Sequence, residues 1–156
     1  MRDLFLNEPC PPELPAISLW QPWASLIFTG RKRHETRDWR LPRSYDRGCK
    51  VILHAAKTRS GYRDTHDALD RICREEFGVS YDAALPLGCA LGFVWLDGCL
   101  ATNGRETAAT DDDFECGNFM PGRFAWRITK FEAFATPVQM RGRQGFWFVP
   151  EREVAP

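Results

Sequence analysis

Between Gly30 and Trp39 the chain reads GRKRHETRDW: four basic side chains, a histidine, two acids and a tryptophan in ten residues. On an extended backbone Arg33, Glu35, Arg37 and Trp39 point one way, and His34, Thr36 and Asp38 the other, because side chains alternate along a strand. Glu35 and Arg37 are then about 7 Å apart at the backbone, and both are long enough to converge on one ligand. The Arg37 guanidinium is a planar fork that matches a phosphate or a base edge. Glu35 can accept from a base amino group or take a proton. Trp39 supplies a stacking plane, and Lys32 adds a further cation. The plain alternative is a same-strand surface ion pair, worth under about 1 kcal/mol.

A second group follows in HAAK, residues 54–57. Lys57 can bring an ammonium to the same place. His54 lies inside the apolar run CKVILHAA. It is either a core histidine bonded to a backbone carbonyl or a general acid and base. Gln21 and Trp23 flank Pro22 just before an amphipathic stretch. Gln21 can read a base edge, and Trp23 can stack or can join Leu26 and Ile27 on a buried face. Trp126 and Arg127 alternate, so only one of them faces the core.

The elements that would hold these residues are short. Residues 1–16 read as an irregular arm because Pro9, Pro11, Pro12 and Pro15 crowd it. Ile17–Trp20 is a short strand, then QPWASLIFTG is a helix with proline at its start and glycine at its stop. Cys49–Ala56 is a mostly apolar, central strand. Residues 62–77 carry apolar positions at helical spacing, with Gly78 as the stop. Leu87–Ala101 is a long strand with Cys89, Leu91, Phe93 and Trp95 on one face. Residues 102–121 form a long, polar, acidic loop with room for one helical turn. Arg123–Ile128 is a strand, Phe131–Met140 is broken by Pro137 or lies at a sheet edge, and RGRQGFWFV ends in an apolar strand.

Whole-chain properties bound the answer. With 156 residues the chain is one domain, long enough to bury roughly 70% of its unfolded surface without staples. Net charge is zero, so no molecule-wide field draws it to nucleic acid. Charge is nevertheless segregated: Arg31–Lys50 carries a net +5 and Asp97–Cys116 a net −5. These blocks either face one another, or one meets an anionic ligand while the other stays solvated. No pair among the six cysteines has zinc spacing, and no apolar run approaches the ~20 residues that span a bilayer. Reduced, buried thiols and a cytoplasmic location are expected. No cofactor or resident metal is expected either. A divalent cation at Asp111, Asp112, Asp113 and Glu115 would need convergent oxygens that a flexible run rarely supplies.

SLWQPWASLIFTGRKRHETRDW followed by RGCKVILHAAK resembles the opening of an ASCH domain, a branch of the PUA-like superfamily. GCALGFVWLDGCL, GRFAWRITKF and GRQGFWFV resemble its later strands. Gly30, Lys32, Glu35 and Arg37 fit the GxKxxExR pattern, with HAAK at the matching interval. The resemblance implies an α+β domain over residues 17–150, a PUA-like curved β-barrel with short helices covering its open ends. It also implies a cleft bearing GxKxxExR and HAAK, bordered by the strand of Trp126. Relatives are associated with RNA binding, with ribonuclease activity and, in one branch, with amide hydrolysis of N4-acetylcytidine. That last branch has threonine as its proposed nucleophile where this chain has Glu35, and Thr36 points to the opposite face.

The expected function is binding of RNA or a modified nucleoside, with cleavage of single-stranded RNA as its enzymatic form. Glu35 or His54 would act as acid or base, with Lys57 and Arg37 as the cationic pair. Gln21, Trp23, Lys32, Arg33, Arg37, Trp39 and Trp126 would contact the ligand. Recognition needs only the cations and an aromatic plane, so the same residues serve binding and catalysis equally. An amidohydrolase of acylated cytidine and a non-catalytic RNA-associated adaptor are the alternatives.

Overall fold

The computed structural model describes residues 12–59, 66–80 and 85–154. Six strands form one mixed sheet: β1 (Glu13–Leu19), β2 (His34–Arg37), β3 (Cys49–Ala55), β4 (Cys89–Ala101), β5 (Phe124–Gln139) and β6 (Trp147–Pro150). Helices α1 (Trp23–Phe28), α2 (Asp67–Phe77) and α3 (Asp111–Glu115) fill the connections. The order across the sheet is β2-β5-β4-β3-β1-β6. Only β1 and β3 run parallel; every other neighbouring pair is antiparallel.

β3 is central, and its sequence says why. Val51, Ile52 and Leu53 are all buried, so the strand is apolar on both faces. Val51 and Leu53 join Ile17, Leu19, Ile27, Leu91 and Val94 on one face. Ile52 joins Ala16, Ala90, Trp147 and Val149 on the other. α2 packs Leu69, Ile72 and Cys73 against Leu26 and Cys116. The His66 side chain accepts from Leu69 N–H at the start of α2, and Gly78 closes its end at φ 70°, a conformation glycine adopts without strain. The expected helix also took in residues 62–65, which lie outside the described residues.

Four expectations need correction. The sheet does not close into a barrel: β2 and β6 are its two edges and do not pair. Curvature brings the edges together through side chains instead. Arg37 on β2 donates from Nη2 to Ser18 O on β1, 3.0 Å away, although β2 is first in the order and β1 fifth. β6 pairs with Glu13–Ala16 of β1 and stops short of Ser18. Phe146, just before β6, stacks on Trp126 with ring centroids 5.7 Å apart, and Trp39 meets both rings edge-on. The seam between β2 and β1 is therefore a groove, not a ladder.

Second, the first strand begins at Glu13, inside the segment read as an arm. Pro15 is tolerated there because β1 pairs with β6 near its end and Pro15 faces Phe148. Third, β4 does not keep one face throughout. Its register with β3 shifts between Ala90 and Gly92, Leu53 facing Gly92 and His54 facing Ala90, so Leu91 is an extra residue in β4, and such a residue reverses the alternation. Cys89, Leu91, Val94 and Leu96 therefore share one cluster, while Phe93 packs on the other. Gly92 is required there, since a Cβ would collide with Glu132 O and the Phe28 ring.

Fourth, the acidic segment is not simply solvated. Residues 102–121 are a loop holding one short helix, as expected, but that helix, α3, docks on the basic segment, as the opposed charge blocks allowed. Thr110 Oγ1 caps the helix by accepting from Asp113 N–H. β5 runs unbroken through Pro137. Beyond Arg127 it has β4 as its sole partner, so the missing N–H disturbs no second ladder.

Candidate functional site

The seam carries a three-residue cluster. Glu35 and Arg37 alternate with the buried His34 and Thr36 on β2, so they face the groove as expected. Arg37 Nε donates to Glu35 Oε1 at 2.7 Å. Lys32 Nζ lies 3.2 Å from Glu35 Oε2. Both oxygens of Glu35 are thus held by cations. Lys32 is only 2% exposed, yet its ammonium is satisfied, since it also donates to His34 O (2.7 Å) and Cys116 O (2.9 Å). A buried ammonium without such partners would be prohibitive.

Beneath the cluster, Asp113 fixes the start of β2. It is fully buried. Oδ1 accepts from the main-chain N–H of Arg33 (2.6 Å) and His34 (3.0 Å), and Oδ2 from His34 Nδ1 (2.8 Å) and Ala109 N–H (2.9 Å). Burial pushes the Asp113 carboxyl up. The hydrogen bonds from His34, Ala109 and Arg33 outweigh that and hold it below the usual aspartate value. The other acids of the run are also engaged: Asp111 by Arg105, Asp112 by Arg31 and Arg71, and Glu115 by Arg105 and His66.

The groove opens into a cleft of about 1870 Å³. Glu35, Arg37, Trp39, His54 and Lys57 all line it. Its far wall is the segment Arg141–Gly145. Backbone pairing places that wall: Met140 N–H donates to Gly88 O, and Gly88 packs against the Lys57 side chain. Lys57, Arg141 and Arg143 are exposed and form no ion pair or hydrogen bond with the described residues. Arg123, also on the cleft, is engaged by Asn118 O and Thr36 O. Trp20 stands at the rim, 45% exposed.

The remaining residues expected at the site fall into two groups. Lys32 and Trp23 also line the cleft, Trp23 while packing beside Leu26 and Leu69. Gln21, Arg33 and Trp126 do not. Gln21 is 8% exposed, bonded to Ser25 and Pro86 O, where it anchors α1. Arg33 precedes β2 and projects into solvent. Trp126 is fully buried, and its Nε1 finds no partner among the described residues. Its ring supports the site from below, with the Arg37 guanidinium 5.9 Å above it. Thr36 Oγ1 accepts from Asn118 N–H.

His54 is 1% exposed, with Nε2 3.0 Å from Met140 O and Nδ1 2.9 Å from Ser18 Oγ. Burial lowers its pKa below the ordinary histidine value, and the bond to Met140 O offsets part of that. The five described cysteines are free. Burial drives the Cys73 thiol to about 11 and Cys116 to about 12, so both are unreactive at neutral pH. Ser18, Arg141, Arg143 and Trp20 are the cleft residues that sequence reasoning passed over. The alternation of arginine and glycine in RGRQG was the available signal.

The ASCH domain model matches residues 17–137, most of the chain, and the protein belongs to the ASCH domain family. It is 38% identical over 86 residues to human activating signal cointegrator 1, a stretch covering 54% of this chain but 14% of that protein. Its fold is similar to the crystal structure of ASCH from Zymomonas mobilis, with TM-score 0.51 and 14% identity over 90% of each chain. A point variant of that protein matches with TM-score 0.50 and 14% identity, over 90% of this chain and 92% of that one. Among the described residues no helix is long and apolar enough to cross a membrane.

Proposed function

We propose that the cleft binds single-stranded RNA, with phosphates on Lys57, Arg141 and Arg143 and a base or ribose against the Glu35–Arg37 pair. The division of the cleft cations into paired and unpaired sets carries this reading. Lys32, Arg37 and Arg123 are held by protein acceptors. Lys57, Arg141 and Arg143 have none among the described residues, yet they line one concave surface. Converging exposed cations beside aromatic planes are what a single strand requires. Trp39 and Trp20 supply the planes, and membership of the ASCH family supports a nucleic-acid ligand over a protein one.

The geometry favours recognition over cleavage through Glu35. Each Glu35 oxygen accepts from one cation, Oε1 from Arg37 and Oε2 from Lys32, and keeps a second acceptor site, so the carboxylate is a pinned acceptor with its charge already matched. Held this way, Glu35 and Arg37 offer a fixed acceptor and donor, suited to reading a base edge. An amidohydrolase acting through Thr36 is likewise disfavoured, because that side chain is buried on the opposite face of β2 from Glu35 and its hydroxyl holds the Asn118 amide. We place the protein in the cytoplasm, in keeping with its free thiols.

Fluorescence anisotropy with a labelled oligoribonucleotide, titrated with salt, tests the reading. Three phosphate contacts give a log–log slope near −2, at about −0.7 per contact for a single strand. Arg141→Gln with Arg143→Gln should flatten it by about 1.4. A flat slope in the native protein would instead indicate a small neutral ligand.

A further inference from the structure

A serine and a histidine meet in the wall of this cleft, and RNA recognition uses neither. Ser18 Oγ is 2.9 Å from His54 Nδ1, and His54 Nε2 is 3.0 Å from Met140 O. A carbonyl can only accept, so Nε2 carries the proton. The neutral ring then has its lone pair on Nδ1, and the Ser18 hydroxyl donates to it. That is the arrangement of an activated nucleophile: hydroxyl, base, and a third group orienting the base. Here a main-chain carbonyl does the orienting, since no described carboxylate forms an ion pair with His54.

The surroundings suit attack on an outside molecule. Ser18 is partly exposed and lines the cleft, while His54 lies behind it. Gly142 passes directly over the pair. A Cβ there would stand 2.5 Å from His54 Cε1 and 2.7 Å from Ser18 Oγ, so only glycine lets the main chain come this close. The N–H groups of residues 141–145 make no hydrogen bond to the described residues, leaving donors for a developing oxyanion. The charged group bonded to the pair is Arg37, through Ser18 O, itself paired with Glu35; Lys57 and Arg141 line the same cleft without an acceptor among the described residues. Burial keeps the imidazole below its ordinary pKa, so Nδ1 is a free base at neutral pH.

We propose that Ser18 is a nucleophile activated by His54, and that the cleft hydrolyses carboxylic esters bearing an anionic group. Ser18 Oγ attacks the ester carbonyl carbon as His54 Nδ1 takes the hydroxyl proton. The bond to the alcohol oxygen then breaks, and that oxygen leaves with the proton from Nδ1. Water next attacks the acyl-serine and gives a proton to Nδ1. The Oγ–acyl bond breaks, Oγ regains that proton, and the carboxylic acid departs. The preference for an anionic ester rests on the cationic rim invoked for RNA; the serine–histidine chemistry does not.

The test treats the full chain with a fluorophosphonate probe and, separately, with p-nitrophenyl acetate. The expected result is one phosphonyl adduct on Ser18, located by peptide mass, with release of p-nitrophenol. Ser18→Ala should abolish both without changing RNA affinity, and His54→Gln should slow release by about 100-fold or more. Should His54→Gln fail to fold, Ser18→Cys keeps the question open to measurement. Its thiol, paired with His54, should be alkylated by iodoacetamide well below pH 8, which an unpaired thiol would not be. A native protein left unlabelled at Ser18, or a Ser18→Ala variant with native turnover, would overturn the proposal. Labelling at Ser18 in a protein that ignores RNA would support the dyad and refute the RNA reading.

Discussion

Asp113 is the residue on which the geometry of the cleft most depends, and removing its carboxylate is a sharp test. Four donors point at it within 3.0 Å, and water does not reach it. Asp113→Ala would orphan three main-chain N–H groups and one imidazole. Each buried donor left unmatched costs about 1–3 kcal/mol. Partial relaxation and entry of water reduce a simple sum, so a total of about 3–5 kcal/mol is expected, comparable to breaking a buried ion pair. For a domain of this size that is a fall in Tm of roughly 6–20 °C, at about 2–4 °C per kcal/mol. Urea unfolding followed by tryptophan fluorescence would measure it, and Asp113→Asn, which keeps one acceptor oxygen, should lose less.

The same site sets a pH dependence. The Asp113 carboxyl is held below its ordinary value in the folded chain. Its contribution is therefore complete above the unfolded aspartate pKa, about 3.9. It disappears as pH falls through the lower folded value. The native protein should lose this increment in that acid window, and Asp113→Ala should lack it. A loss under about 1 kcal/mol on substitution, or an unchanged acid limb, would refute the view that α3 is fastened to β2 through this carboxylate.

Three further outcomes follow from the same contacts. Lys32→Met strands two buried carbonyls and uncouples Glu35, so chemical denaturation should show a loss of about 3–5 kcal/mol. Arg37→Lys replaces a fork with a point charge that cannot hold both Glu35 and Ser18 O; RNA affinity should fall about tenfold, or 1.4 kcal/mol, in a titration at fixed salt. Gly142→Ala drives a methyl into His54 and Ser18, and thermal melts should show destabilisation of about 1–3 kcal/mol from overpacking.

Much of the fold was legible because local chemistry decides it. CKVILHAA is apolar on both faces and became the central strand β3. Gly78 ends α2 because the chain needs a left-handed residue there. The alternation of Glu35 and Arg37 with His34 and Thr36 needed only four extended residues. What stayed hidden depends on distant partners. The bulge in β4 answers to β3, about 40 residues away, and reversed the expected face of Phe93 and Trp95. Trp126 looked like a ligand platform, but Phe146 and Trp39 enclose it. Asp113 read as one of a solvated run, although Thr110 three residues before it was a readable helix cap. Lys57 shares a cleft with Arg141 and Arg143 through the pairing of Gly88 with Met140. No spacing rule gives that shared cleft, and it is the feature that turns scattered surface charge into a candidate site.

A crystal structure with a short oligoribonucleotide tests the central claim most directly. The expected result places successive phosphates within hydrogen-bonding distance of Lys57, Arg141 and Arg143, and one nucleotide against Glu35 and Arg37. A strand bound on another face, with those three cations still in open solvent, would contradict it.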